Sequence, residues 1–374
     1  MKFCSECFQY SEIQNIIKSN DKKGDCDIQE SHLNVNICDT ESDLEILKSV
    51  KNTLLEIIDL YTVNSSLPDR FPEELKSSLS DALAYKWSIF SLNSVNIQNM
   101  LRILFENDEY FDHKMFDEKV AIIEEDDHQE EYLIVQDNNW EAFTKSLKYK
   151  NRFHTHHLHL DRLAIFIENS KKTINSTDSI YYRTRINNDK NKFLKKTEMS
   201  APPADKSAPG RLNAEGISTL YMCTNFKTSI KEVRASFEDT IFIGEFKLKR
   251  SISVIDLTKF EDSSLFSDND SENLLSYYFN RDTLKKIAEE LSRPTNTHDS
   301  AINYIPTQYI SDYIKSLTSK DNADNKPLFD GILFESTMDT AGLNLALFDP
   351  DIARCIKVHK QKVNGIEYDL EELN

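Results

Sequence analysis

Chemistry is concentrated in an irregular stretch of the chain's second half. Met199-Ser200-Ala201-Pro202-Pro203 leads, past Pro209, into Gly210-Arg211-Leu212-Asn213-Ala214-Glu215-Gly216. The prolines fix the backbone and the two glycines bracket Arg211 and Asn213, a composition that specifies an ordered loop rather than a regular element. An arginine held on such a loop presents its guanidinium donors to phosphate oxygens in fixed geometry; a surface ion pair is the other reading. Just upstream, strict alternation over Ile180–Ile186 puts Arg183 and Arg185 on one strand face, with Tyr182 and Thr184 on the other. Two guanidinium groups side by side are costly unless an anion compensates them, although solvated arginines would also satisfy the pattern.

Downstream, Ser229-Ile230-Lys231-Glu232-Val233-Arg234 reads as a helix. A half-buried Glu232 facing arginines can hold a ribose hydroxyl and oppose positive charge growing at an anomeric carbon; alone, it would be an ordinary helical salt-bridge residue. Phe329-Asp330-Gly331-Ile332-Leu333-Phe334-Glu335-Ser336 reads as a buried strand delivering Ser336 at its exit. No Gly-x-Ser-x-Gly elbow surrounds that serine, so its expected role is hydrogen bonding and positioning rather than covalent attack, or else a strand cap.

A third group lies at the N-terminus. Cys4-Ser5-Glu6-Cys7 has the C-x2-C spacing that lets two thiolates converge on one tetrahedral ion, and Cys26 with His32 or Cys38 could complete the shell. A second C-x2-C is missing, so reduced, partly buried thiols compete with a structural zinc; the candidate ligand set is Cys4, Cys7, Cys26 and Cys38. The run His154-Thr155-His156-His157-Leu158-His159 lacks the His-Glu-x-x-His helix arrangement and reads as solvated or packed imidazoles.

The elements that must position these groups change character along the chain. Leu44, Leu47, Val50, Leu54, Ile57 and Ile58 recur at helical steps, with Ser42 or Asp43 as cap. A second helix is expected over 72–91, a third over 97–105 and a fourth over 161–172, with paired strands near 120–123 and 132–135. From about 180 the period becomes that of strands: 218–222, 240–249, 251–257, 330–335, 343–348 and 354–358, with helices near 228–237, 282–291 and 309–317. This is an α+β pattern. The expected divisions are a cysteine-containing segment (1–40), a mainly helical accessory domain (41–177), a mixed-sheet catalytic domain (178–362) and a C-terminal tail (363–374).

Length and composition bound the rest. A chain of 374 residues exceeds one growing core, and 39% hydrophobic with 29% charged residues is globular rather than disordered. A net charge of −18 argues against general nucleic-acid binding while leaving room for a local basic pocket. Six cysteines are too few and too uneven for a disulfide scaffold. With no leader pattern and no long apolar run, the cytoplasm is the expected compartment and no membrane partner is expected.

The ordered series Arg183, Arg211, Tyr221, Glu232 and Ser336 resembles the RES family, whose characteristic residues are Arg, Glu and Ser. The resemblance implies an ADP-ribosyltransferase-like fold and NAD as substrate, degraded as by toxins of bacterial toxin-antitoxin systems. Carried over residue by residue, Arg183 and Arg211 would steer the NAD phosphates, Tyr221 would lie near the nicotinamide end, Glu232 would serve the reacting ribose and Ser336 would orient the substrate. Arg185 exchanges with Arg183 under a two-residue slip. The implied reaction is cleavage of the nicotinamide–ribose bond by phosphorolysis, with inorganic phosphate as co-substrate, or by hydrolysis. Transfer of ADP-ribose to a macromolecule is the enzyme alternative, and a silent NAD-sensing module is the non-catalytic one. A toxin or antiviral defence effector would have an antitoxin, inhibitor or defence-system partner and could be a homo-oligomer. The N-terminal region is similar to those of larger RES proteins, in which an early cysteine cluster precedes a helical segment.

Overall fold

In this computed structural model, the residues described are all but 128, 177–178, 190, 261–270, 294–299, 319–325, 340 and 367–374. The expected boundary at 177/178 and residues 367–374 of the expected tail lie outside them. The chain divides into two units, Met1–Leu133 with Ser264–Arg281, and Ile134–Ser263 with Asp282–Asn374.

In the first unit, Lys2–Cys4 (β1), Lys23–Gly24 (β2) and Val35–Asp39 (β3) form a small sheet in the order β1-β3-β2. Ser11–Lys18 (α1), which the sequence reading did not anticipate, buries Ile13 and Ile17. Leu44–Ile58 (α2) follows the apolar stripe and buries Val50, Leu54, Ile57 and Ile58. Asp43 stands at its expected cap position, but the carboxylate accepts from the Asp39 N–H (2.8 Å) and Lys22 Nζ (3.1 Å) instead of a helix N–H. The expected helix over 72–91 is broken. Thr62–Val63 (β4) is followed by an isolated turn at Glu73–Leu75, and only Leu79–Asp81 (α3) and a π-turn at Ala82–Lys86 are helical. The physical reason is that Ser77 exchanges backbone hydrogen bonds with Val120 (3.1 and 2.8 Å), which no helical residue could do. Its apolar set still reaches the core, with Leu79, Leu83, Trp87 and Phe90 buried. Ser94–Phe105 (α4) is capped by Asn93, and Val120–Ala121 (β5) pairs with β4, so the expected partner at 132–135 forms no strand. Glu124–Asp127 (α5) carries the acidic run.

The second unit opens with Trp140–Tyr149 (α6) and Leu160–Asn169 (α7). The latter ends earlier than expected because Lys171–Ile174 (β6) leaves to pair with an edge of the main sheet. The remaining elements are Tyr181–Ile186 (β7), Leu220–Cys223 (β8), Phe226–Glu232 (α8), Thr240–Leu248 (β9), Ile252–Asp256 (β10), Ser271–Ser292 (α9, of which 282–292 belong here), Ile305–Ser316 (α10), Gly331–Glu335 (β11), Leu343–Leu347 (β12) and Ala353–Lys362 (β13). Together they make an α+β architecture on one mixed sheet of order β13-β9-β7-β8-β12-β11-β10-β6. Only β10 and β11 run parallel; the other neighbours are antiparallel. Tyr181, Met222, Phe242, Phe246 and Leu345 are among the side chains that fill its core.

Gly331 sits at the start of β11, against the backbone of β12. A Cβ there would run into the backbone carbonyl of Ala346, which cannot rotate away as a side chain could. Gly331→Ala is therefore expected to cost about 3 kcal/mol, the upper end for overpacking, and to lower the melting temperature by about 6–12 °C in differential scanning calorimetry. An unchanged melting temperature would show that the two strands can part without loss.

Candidate active site

Strand order explains how residues far apart in sequence meet. β7, β8 and β12 are neighbours, and register aligns Tyr182 with Cys223 and Cys223 with Asn344. That Tyr182–Cys223 match is the single registered pair between β7 and β8, so the sheet parts beyond it. Across the opening, Arg183 Nη1 donates to the Tyr221 carbonyl (3.2 Å). A cavity of about 540 Å³ occupies this cleft, lined among others by Arg183, Arg185, Arg211, Tyr221, Glu232 and Asn344.

The cationic side is made of partly buried guanidinium groups. Burial, and next to it the charge of Arg185, brings the Arg183 pKa down to about 10. Arg185 donates from Nη2 to the Ser200 carbonyl (2.6 Å), and burial lowers its pKa too. Its Nε is buried with no hydrogen-bond partner among the described residues. Arg211 is only 5% exposed. Its guanidinium lies over the Tyr304 ring (5.2 Å), and Nη1 is 3.8 Å from Glu290 of α9.

The loop bearing Arg211 is held by α10. Gln308 Nε2 donates to the carbonyls of Gly210 (2.8 Å) and Asn213 (3.0 Å), while Ser311 Oγ and Lys315 Nζ both donate to that of Leu212 (2.9 and 3.0 Å). Within the loop the Gly210 N–H donates to the Asn213 carbonyl (2.9 Å), and the Tyr221 hydroxyl donates to Asn213 Oδ1 (2.9 Å). Gly210 is needed here because a Cβ would come within 2.9 Å of Asn213 Oδ1 and 3.5 Å of the Tyr221 hydroxyl. Burial raises the Tyr221 pKa, so the phenol keeps the proton it donates.

Glu232 is the last residue of α8, which ends short of the expected 237 because Arg234 turns into the left-handed region at φ 50°. A carboxylate at a helix C-terminus faces the unfavourable end of the dipole. Two neutral donors offset this: Ser336 Oγ at 2.6 Å and Asn344 Nδ2 at 2.7 Å, both to Oε1. The amide of Asn344 is oriented from its other end by the Cys223 thiol, which donates to Oδ1 (3.1 Å). Burial, reinforced by the Glu232 charge, pushes that thiol up to about 12, so it remains a donor. Ser336 directs its only proton at Glu232 and accepts from the Met338 N–H (3.2 Å), an arrangement that positions a carboxylate rather than arming a nucleophile. The turn after β11 is tied to α8 by Asp339, which accepts from Thr228 Oγ1 (2.5 Å) and Lys231 Nζ (2.9 Å). These hydrogen bonds, Thr228 first, hold its carboxyl below the usual carboxylate range.

Thus Arg183, Arg185, Arg211, Tyr221 and Glu232 line one cavity, and Ser336 joins them through Glu232. Sequence reasoning missed Asn344, whose signal was an amide interrupting the apolar run Leu343-Asn344-Leu345-Ala346-Leu347. It also missed Asn213, Gln308 and Glu290 as partners of the loop and its arginine; the last two carry no local signal.

The cysteines gather elsewhere, in the first unit. Cys4, Cys7 and Cys26 converge with His32, their donor atoms all within 4.8 Å of one another, which corrects the expected fourth member Cys38. Cys38 pairs in register with Phe3, and Cys4 with Ile37. Alternation along a strand therefore turns Cys38 to the face opposite Cys4. Its sulfur approaches the Asp43 carbonyl instead (4.0 Å).

A model of the RES domain matches residues 182–370, half of the chain, and the protein belongs to the RES domain family. That membership supports an NAD-related catalytic role in general. Ahead of that domain the chain carries an N-terminal helical region bearing a cysteine and histidine cluster. No curated protein and no solved structure matches the chain. Among the described residues, no helix is long and apolar enough to cross a membrane.

Proposed function

We propose that this protein cleaves the bond between nicotinamide and ribose in NAD, with residues 178–362 as an ADP-ribosyltransferase-like catalytic domain. The observation that carries this reading is that three arginines and one doubly hydrogen-bonded carboxylate line a single cavity. Arg183, Arg185 and Arg211 hold the pyrophosphate, whose charge compensates guanidinium groups that are otherwise costly to bury side by side. Tyr221 borders the nicotinamide end and keeps Asn213 and the loop in place. As the carbon–nitrogen bond breaks, its electron pair goes to the ring nitrogen and nicotinamide leaves neutral. Glu232 opposes the positive charge left on the ribose, and Ser336 and Asn344 keep its carboxylate aimed. A deprotonated oxygen of inorganic phosphate, or a water oxygen that releases one proton to solvent, then bonds to the anomeric carbon.

Incubation with NAD, with and without phosphate, tests the reaction. ADP-ribose 1''-phosphate identifies phosphorolysis and ADP-ribose identifies hydrolysis. A macromolecule heavier by one ADP-ribose unit would point to transfer instead, and intact NAD with folded protein would overturn the proposal. In a cell such an activity is that of a toxin or defence effector and calls for an antitoxin or inhibitor that restrains it.

The buried cations make a second expectation. ADP-ribose, which keeps the pyrophosphate but lacks the scissile bond, is expected to raise the melting temperature. At one hundred times its dissociation constant, a ligand specific for the folded state contributes about 2.7 kcal/mol. For a unit of this size that is about 5–10 °C by differential scanning fluorimetry. No shift with either ADP-ribose or NAD would remove the arginines from the proposed role.

A further inference from the structure

We propose that Cys4, Cys7, Cys26 and His32 form a closed tetrahedral zinc site, with His32 bound through Nδ1. Three separate pieces of local structure bring the donors together. β1 ends at Cys4, and the 3-10 turn Ser5–Cys7 returns the Cys7 sulfur to 3.5 Å from that of Cys4. The loop between β2 and β3 is cinched by the Cys26 N–H to the His32 carbonyl (3.0 Å) and the His32 N–H to that of Gln29 (3.0 Å). This sets the Cys26 sulfur 3.5 Å from that of Cys7, with His32 Nδ1 at 3.3 Å from Cys4 and 3.9 Å from Cys7.

These separations are those of a coordination shell. Ligands at about 2.3 Å for sulfur and about 2.0–2.1 Å for nitrogen, arranged tetrahedrally, stand roughly 3.5–3.8 Å apart. The three cysteines are buried, Cys4 and Cys7 completely. All four positions of the shell are filled by protein, leaving none for substrate, so the ion organises rather than reacts. Strands of three, two and five residues make a meagre sheet, and a metal that binds only the folded segment adds its binding energy to the stability of that segment. The site is independent of the chemistry proposed for the cavity.

Metal analysis of the full chain, purified without chelator, tests the assignment. About one zinc per chain is expected for the wild type and for Cys38→Ser, and a loss of at least tenfold for Cys26→Ser. His32→Cys is expected to keep the metal, because a fourth thiolate can replace the imidazole; this variant decides the matter if Cys26→Ser fails to fold. Reconstitution with Co(II) should give the intense ligand-field bands of a tetrahedral thiolate site and thiolate-to-metal charge transfer. Zinc-free protein that takes up neither Zn(II) nor Co(II), a disulfide within the cluster, or equal metal loss in Cys38→Ser and Cys26→Ser would each overturn the site.

Discussion

Replacing Glu232 by glutamine is expected to lower kcat for NAD cleavage about 1000-fold while KM changes little, a loss of about 4 kcal/mol of transition-state stabilisation. Glutamine is the informative substitution because its side-chain oxygen can still accept from Ser336 and Asn344, which now donate at 2.6 and 2.7 Å to one carboxylate oxygen. What disappears is the negative charge, and that charge matters only once the ribose becomes positive. The effect therefore belongs to kcat rather than to ground-state binding. Alanine would confound the result, since it strands two buried donors at a cost of about 1–3 kcal/mol each. Steady-state NAD consumption, compared at matched melting temperatures, makes the measurement. Activity within threefold of wild type would remove Glu232 from the reaction.

Arg211→Ala is expected to raise KM for NAD by about 10–100-fold, the worth of one or two charge-assisted hydrogen bonds to a phosphate. Arg250→Ala, the comparison, is expected to stay within twofold. Arg250 forks onto Asp330 at 2.6 and 2.9 Å, with more than half its side chain exposed, and such a pair is worth about 0–1 kcal/mol. Arg211 is buried on a loop whose carbonyls are held by three side chains of α10, so its position is set before substrate arrives. Its removal does not leave Glu290 without a cation, because Lys286 remains 3.7 Å away. Kinetics of the two variants at equal thermal stability decide the matter. Equal effects would count against a phosphate role for the loop.

Much of this molecule was readable from local pattern. The helical stripe from Leu44, the alternation through Arg183 and Arg185, and the strand delivering Ser336 all formed where periodicity put them, because side-chain direction repeats with the backbone itself. The proline- and glycine-rich loop was likewise recognisable as ordered. Readings failed where a distant partner competed for the backbone. Ser77 took Val120 as its hydrogen-bond partner and broke a helix; Lys171–Ile174 took β10 and shortened another.

The N-terminal cluster shows the same division. Cys4 and Cys7 were assigned from spacing, but the choice between His32 and Cys38 hung on a register that places Cys38 beside Phe3. In the cavity, the composition of strand, loop and helix singled out the arginines and Glu232, whereas Tyr221 entered only through the resemblance to the RES family. Their convergence, and the recruitment of Asn344 and Ser336 to one carboxylate oxygen across 112 and 104 residues, came only with the strand order β7-β8-β12-β11. Local periodicity is written by each residue's own stereochemistry, whereas proximity across a sheet is a property of which strands pair, and that is settled by the burial of the whole unit.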